Sequence, residues 1–205
     1  MLDVVNKGAR WLPTWPVYLL GMLPFAWLFA QALSGDLGPD PAKTLERELG
    51  EFALQLLVAG LCVTPLRWVG VNLVKFRRAI GLLAFAYVAL HLTTWVVLDL
   101  GLRWGEIWNA LVKRPYIIIG MAAFVLMVPL AVTSANWAIR RLGPLRWKRL
   151  HMLTYAVGVL GALHFVMLQK TWAAEALIYL ALILGLLVAR VLRSKWQAQA
   201  RMVAA

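Results

Sequence analysis

Arg77–Leu100 reads RRAIGLLAFAYVALHLTTWVVLDL. Two arginines open it, and from Ile80 to Leu100 the only residues of charged or histidine type are His91 and the near-terminal Asp99. At about 1.5 Å per residue such a helix is about 30 Å long, the thickness of the hydrocarbon layer of a bilayer. The stretch therefore reads as a membrane span, with arginines at one interface and a histidine inside.

Five more segments fit the same description: Trp11–Leu33, Glu51–Val69, Tyr116–Trp137, Leu150–Leu168 and Ala174–Leu192. The composition of the 205 residues agrees, with 62% hydrophobic and 15% charged. Soluble domains run about 45–50% apolar and about 25% charged. A soluble enzyme, a disordered chain and a secreted disulfide scaffold are excluded on this ground. Cys62, the only cysteine, has no partner for an intrachain disulfide and reads as a small buried hydrophobe. No repeat, GxGxxG or P-loop pattern interrupts the spans, and no loop is long enough for a nucleotide-binding domain. The expectation is an all-α integral membrane protein: one six-helix transmembrane bundle over residues 1–205. Pro24 should kink the first span. Ala30-Gln31-Ala32 resembles a signal-peptidase site, but the apolar run is long for a signal peptide, so the span reads as a retained anchor.

The net charge of +12 falls in clusters between spans, which speaks for membrane topology and against nucleic acid. Lys7, Arg10, Arg67, Lys75, Arg77, Arg78, Arg140, Arg141, Arg146, Lys148, Arg149, Arg190, Arg193, Lys195 and Arg201 share one side. Lys43, Arg47, Arg103, Lys113, Arg114 and Lys170 share the other. Fifteen cations against six put both termini in the cytoplasm. Trp11, Trp15, Trp68, Trp104, Trp108, Trp137, Trp147 and Trp172 fall near span ends, as interfacial belts require.

All three histidines lie within spans, where ionisable groups are costly and mark function. His91 lies 15 residues beyond Phe76, and His164 lies 14 beyond Leu150, on two helices that run the same way. The two imidazoles therefore sit at nearly equal depth, placed to clamp a haem iron from both faces. His151 is 13 residues from His164, about 20 Å along the axis, at the cytoplasmic end. On a straight helix the two would point about 140° apart; a bend near Gly158 and Gly161, or different azimuths for two sites, would reconcile them. Zinc is disfavoured because acidic residues are nearly absent from span interiors. A proton-relaying transporter and a purely structural anchor are the competing readings.

Further stretches narrow the choice. Arg77-Arg78-Ala79-Ile80-Gly81-Leu82, His91-Leu92, Lys113-Arg114-Pro115-Tyr116-Ile117, Leu130-Ala131-Val132-Thr133-Ser134, Trp147-Lys148-Arg149-Leu150-His151-Met152-Leu153-Thr154-Tyr155 and His164-Phe165 together resemble the MsrQ (YedZ) family. These are bacterial inner-membrane cytochromes of the ferric-reductase-like superfamily, which also holds the NADPH oxidases. The resemblance implies b-type haem, one or two, on His91, His151 and His164. It implies an electron-transfer subunit rather than the catalytic one. The implied acceptor is a periplasmic molybdopterin enzyme, MsrP, that reduces methionine sulfoxide in oxidised proteins. Electrons would come from the quinone pool, with FMN and a cytosolic flavin reductase also linked to the family. The second histidine pair of NADPH oxidases is incomplete here, and their flavin and NADPH domain is absent from the sequence. Arg77 and Arg78 are candidates for haem propionates, and the basic loop Arg140–Arg149 for a flavin phosphate, although topology and anionic lipid also account for both. Thr133 and Ser134 are expected to satisfy backbone or interhelical bonds rather than bind quinone. A stand-alone ferric or quinone reductase remains a rival with the same cofactor. A periplasmic partner would dock on the outer loops, Ser34–Leu49 and Gly101–Lys113.

Overall fold

The computed structural model describes residues 2–169 and 172–203. Lys170, counted above with the outer charges, lies outside them. All regular structure among the described residues is helical: α1 Leu2–Trp11, α2 Trp15–Ser34, α3 Pro41–Trp68, α4 Arg77–Thr93, α5 Trp104–Lys113, α6 Pro115–Val132, α7 Asn136–Leu142, α8 Pro144–His151, α9 Leu153–Leu168 and α10 Ala174–Val203. A 3-10 turn, Val74–Phe76, leads into α4, and a π-helical segment, Thr94–Asp99, extends it. Six helical stretches are long and apolar enough to cross a membrane: Trp15–Ser34, Pro41–Trp68, Val74–Asp99, Pro115–Val132, Pro144–Leu168 and Ala174–Met202.

The spans pack as two close pairs, α3 on α4 and α6 on α9, with α2 against α4 and α10 against α9 and α3. Where the two pairs meet, Leu57, Ala84, Met127 and Val157 are buried. Small residues set the spacing. A Cβ on Gly158 would lie 3.3 Å from Leu61 Cδ1, and one on Gly161 would lie 3.8 Å from Leu54 and Leu57. Most of α2 stays open, with Leu28 its one buried residue, so its apolar side chains face lipid.

Several boundaries differ from the sequence expectation. The N-terminal segment forms its own helix, α1, tied back by Asn6: its Nδ2 donates to Gly70 O (2.7 Å), and its Oδ1 accepts from Asn72 N (2.8 Å). α3 begins ten residues before the expected Glu51, because Pro41 suits a first helical turn and Asp40 caps it, accepting from Lys43 N at 3.2 Å. Much of the expected Ser34–Leu49 loop is thus helix. So is most of Gly101–Lys113, where α5 buries Ile107 and Ala110 and exposes Trp104 and Trp108, the habit of an interfacial amphipathic helix.

Proline removes a backbone donor, and each freed group must find a partner in lipid. At Pro24 the freed carbonyl is Leu20 O, and the turn beside it, bent by the proline ring, is braced by a side chain of α4. The hydroxyl of the fully buried Tyr87 donates to Gly21 O (2.7 Å) and accepts from Phe25 N (3.1 Å), bridging an i, i+4 pair that would otherwise bond directly. At Pro65 the orphaned carbonyl is Leu61 O, and Arg190 Nη2 from α10 donates to it. After Pro129, Thr133 Oγ1 donates to Pro129 O (2.6 Å) and Ser134 Oγ to Leu130 O (2.7 Å), the backbone role expected for both.

Candidate functional site

His91 leaves the last full turn of α4 facing α3, and His164 leaves α9 facing α6. Their ring centres are 6.2 Å apart and their planes nearly perpendicular, at 82°. The equal depth read from the sequence is therefore met. His151 and His164 face separate surroundings, and the break between them falls at Met152, where α8 ends and α9 begins, while Gly158 and Gly161 lie within an unbroken α9. Met152 N bonds Arg149 O (3.2 Å) and Tyr155 N bonds Met152 O (3.0 Å), a tightened turn that changes the helix phase. The displaced His151 carbonyl is taken by the Thr154 hydroxyl at 2.9 Å.

Each of the paired histidines is held the same way. His91 Nδ1 lies 2.8 Å from the Glu46 carbonyl of α3, and His164 Nδ1 lies 2.7 Å from the Tyr116 carbonyl of α6. A carbonyl only accepts, so each Nδ1 carries the proton and donates it. Each Nε2 is left with its lone pair. This is the tautomer of a metal-bound imidazole whose other nitrogen is oriented by an outer partner. Four residues beyond each accepting carbonyl stands a glycine, Gly50 and Gly120. A Cβ there would lie 3.0 Å from His91 Nδ1 and 2.7 Å from His164 Nδ1.

Around the two rings lies a cavity of about 580 Å³. Its walls are apolar, formed by residues such as Leu57, Val88, Trp95, Phe124 and Met127, and its mouth carries Lys43, Arg47 and Arg114 among Glu46, Glu51 and Asp99. Two imidazoles binding one first-row metal in line, at about 2.1 Å each, would have ring centres about 6.4 Å apart. The observed separation, the free Nε2 atoms, the glycine cradles and the apolar chamber with Lys43, Arg47 and Arg114 along its mouth all suit a haem between the histidines. Among the described residues no three of His, Cys, Asp and Glu cluster as a metal site.

The remaining candidates sit at the other end of the bundle. His151 Nε2 is 3.1 Å from Thr133 Oγ1, whose own proton goes to Pro129 O. His151 therefore donates through Nε2, the opposite tautomer. Its ring stacks on Trp147 (centres 3.9 Å apart, 26°), and Trp147 Nε1 donates to Thr133 O at 2.8 Å. Arg77 and Arg78 occupy the first turn of α4 and do not line the cavity; Arg78 Nη2 donates to Asn136 Oδ1 at 2.6 Å. The structure thus brings His91 and His164 together and keeps His151, Arg77 and Arg78 apart from them. Sequence reasoning missed Gly50, Gly120 and the charged mouth. The glycines carry no signal on their own helices and gain meaning only beside a histidine on a neighbouring one.

Residues 48–162 match the family described as ferric reductase like transmembrane component. The chain is 47% identical over 180 residues to proteins of Brucella anthropi and Brucella ovis, each named protein-methionine-sulfoxide reductase heme-binding subunit MsrQ, with 87% of this chain and 81% of theirs aligned. No solved structure matches. A six-span bundle that faces two histidines across an apolar chamber agrees with both likenesses, and the chain belongs to the MsrQ family of ferric-reductase-like transmembrane proteins.

Proposed function

We propose that the chain is the haem-binding electron-transfer subunit of a methionine sulfoxide reductase system. The observation that carries this is the His91–His164 pair: ring centres 6.2 Å apart, with both Nδ1 atoms tied to backbone carbonyls. Haem bound there supplies one-electron redox chemistry and, through its ligands and burial, the potential at which it works. The chain's own residues do the rest. Glu46 O and Tyr116 O keep the two imidazoles oriented and basic. Leu57, Phe124 and Met127 exclude water from the chamber. Lys43, Arg47 and Arg114 at the mouth offer cations to carboxylate groups.

The charge asymmetry supports a cytoplasmic location for both termini and for the His151 end, so the chamber opens towards the periplasmic side of a bacterial inner membrane. The proposed acceptor is a periplasmic MsrP-like molybdoenzyme docking near that mouth. The proposed donor is the quinol pool or a cytosolic flavin reductase, with FMN near the basic segments α7 and α8. One b haem is proposed; a second would need Nε2 of His151 released from Thr133 and a ligand other than histidine.

Haem per chain and reduced-minus-oxidised spectra of the detergent-purified protein test this reading. His91→Ala and His164→Ala should lose haem while remaining folded, and His151→Ala should keep it. A folded wild type that binds no haem when haem is abundant overturns the reading and favours a histidine-relay transporter. Co-purification with the molybdoenzyme separates the proposal from a stand-alone ferric or quinone reductase.

A further inference from the structure

Gly50 and Gly120 are better explained by the histidines than by helix packing. Side chains on an α-helix lean towards its N-terminus, so a Cβ at position i+4 sits beside the carbonyl of residue i. An imidazole that docks on that carbonyl meets the Cβ. Glu46 with Gly50 and Tyr116 with Gly120 are both such i, i+4 pairs, on different helices. The other helical glycines with a neighbour in reach face aliphatic groups: Gly21 has Leu83 Cδ1 at under 3.0 Å, Gly158 has Leu61 Cδ1 at 3.3 Å, Gly60 has Ile80 Cγ2 at 3.6 Å, and Gly161 has Leu54 and Leu57 at 3.8 Å, whereas Gly50 and Gly120 face imidazoles. At Gly50 the added Cβ would meet Nδ1 and Cε1 of His91 at 3.0 and 3.2 Å; at Gly120 it would meet Nδ1 and Cε1 of His164 at 2.7 and 2.9 Å. Glycine is a poor helix former beside alanine, so each position carries a standing cost that the docked ring accounts for.

We propose that Gly50 and Gly120 are positioning residues for the two axial ligands, holding the imidazole planes near the observed 82°. The proposal rests on haem ligation by His91 and His164. An added methyl group must push the ring off its carbonyl or turn it about its own axis. Turning changes the angle between the rings, and perpendicular and coplanar axial imidazoles give a low-spin ferric iron different magnetic anisotropy. Losing the Nδ1–H···O=C bond also makes the ligand less basic, which favours the ferrous state and raises the potential.

The test uses purified haem-loaded protein, comparing wild type with Gly50→Ala and Gly120→Ala, and with Gly60→Ala and Gly81→Ala, which lie outside the chamber, as controls. The readouts are haem per chain, electron paramagnetic resonance of the ferric form, and midpoint potential. Wild type should give the strongly anisotropic low-spin signal of perpendicular imidazoles, and both controls should match it. Gly50→Ala should keep haem, lower the largest g value and raise the potential. Gly120→Ala, with the closer approach, should shift further in the same direction or lose haem while the chain stays helical and monodisperse. Wild-type signal and potential in both alanine variants overturn the proposal. So does a rhombic signal of coplanar rings in the wild type, which holds even if a variant fails to fold. A wild type without haem instead overturns the underlying ligand reading.

Discussion

Replacing Tyr87 with phenylalanine removes one oxygen atom and, with it, the bridge across the opened ladder of α2. Two hydrogen bonds disappear, to Gly21 O at 2.7 Å and from Phe25 N at 3.1 Å. A buried hydrogen bond contributes about 0.5–1.5 kcal/mol net, and an orphaned buried partner costs about 1–3 kcal/mol. Partial re-pairing of Gly21 O with Phe25 N recovers some of this, so the expected destabilisation is about 2–3 kcal/mol, roughly 30- to 150-fold in the unfolding equilibrium. The assay is reversible unfolding in mixed detergent micelles, run as a double-mutant cycle with Pro24→Ala. Without the proline ring and its clash with the Leu20 carbonyl, α2 can straighten so that Phe25 N bonds Gly21 O directly, and Tyr87→Phe should then cost less than about 1 kcal/mol. Tyr87 faces α2 and does not line the chamber, so haem content should be unchanged. Equal cost in both backgrounds would refute the idea that the hydroxyl braces the turn bent by the proline.

Arg190→Met should destabilise the fold by about 1–3 kcal/mol by orphaning Leu61 O; adding Pro65→Ala restores a backbone amide to that carbonyl and should recover much of the loss, read by the same unfolding assay. Thr133→Val removes the acceptor of His151 Nε2–H, so nitrogen NMR of labelled histidine should report a changed His151 tautomer population while haem per chain stays constant. The Lys43 side chain and backbone amide hydrogen-bond to the Asp40 carboxylate and hold it below its ordinary pKa. A depressed folded value stabilises at neutral pH and is lost as pH falls through that value. Protection of the Lys43 and Thr44 amides, taken relative to the unstructured exchange rate at the same pH, should therefore fall on acidification and, in Asp40→Ala, be low at every pH.

Much of the fold was legible because hydrophobic runs of bilayer length admit few alternatives. The depth match of His91 and His164 followed from two interface anchors and a fixed rise per residue. The helix phase did not follow, because the break at Met152 rests on hydrogen bonds from Thr154 and Tyr155 that no periodicity announces. The true start of α3 was hidden because Lys43, Glu46, Arg47 and Glu48 read as a polar loop, although they occupy helical turns above the apolar run. Arg77 and Arg78 have the right chemistry for propionates, but helix direction puts them beside Asn136, at the far end of α4 from the chamber. Gly50 and Gly120 were illegible in principle: their meaning belongs to pairs of helices.

Main-chain acceptors for both imidazoles have a genetic consequence. Where a carboxylate orients a metal-bound histidine, one codon change deletes it. Here the acceptors are the carbonyls of Glu46 and Tyr116, which every amino acid carries. No substitution at positions 46 or 116 can remove them, and those side chains are free to drift or to serve the mouth of the chamber. The vulnerability moves one helical turn along the chain, to two codons at which every missense change adds a Cβ.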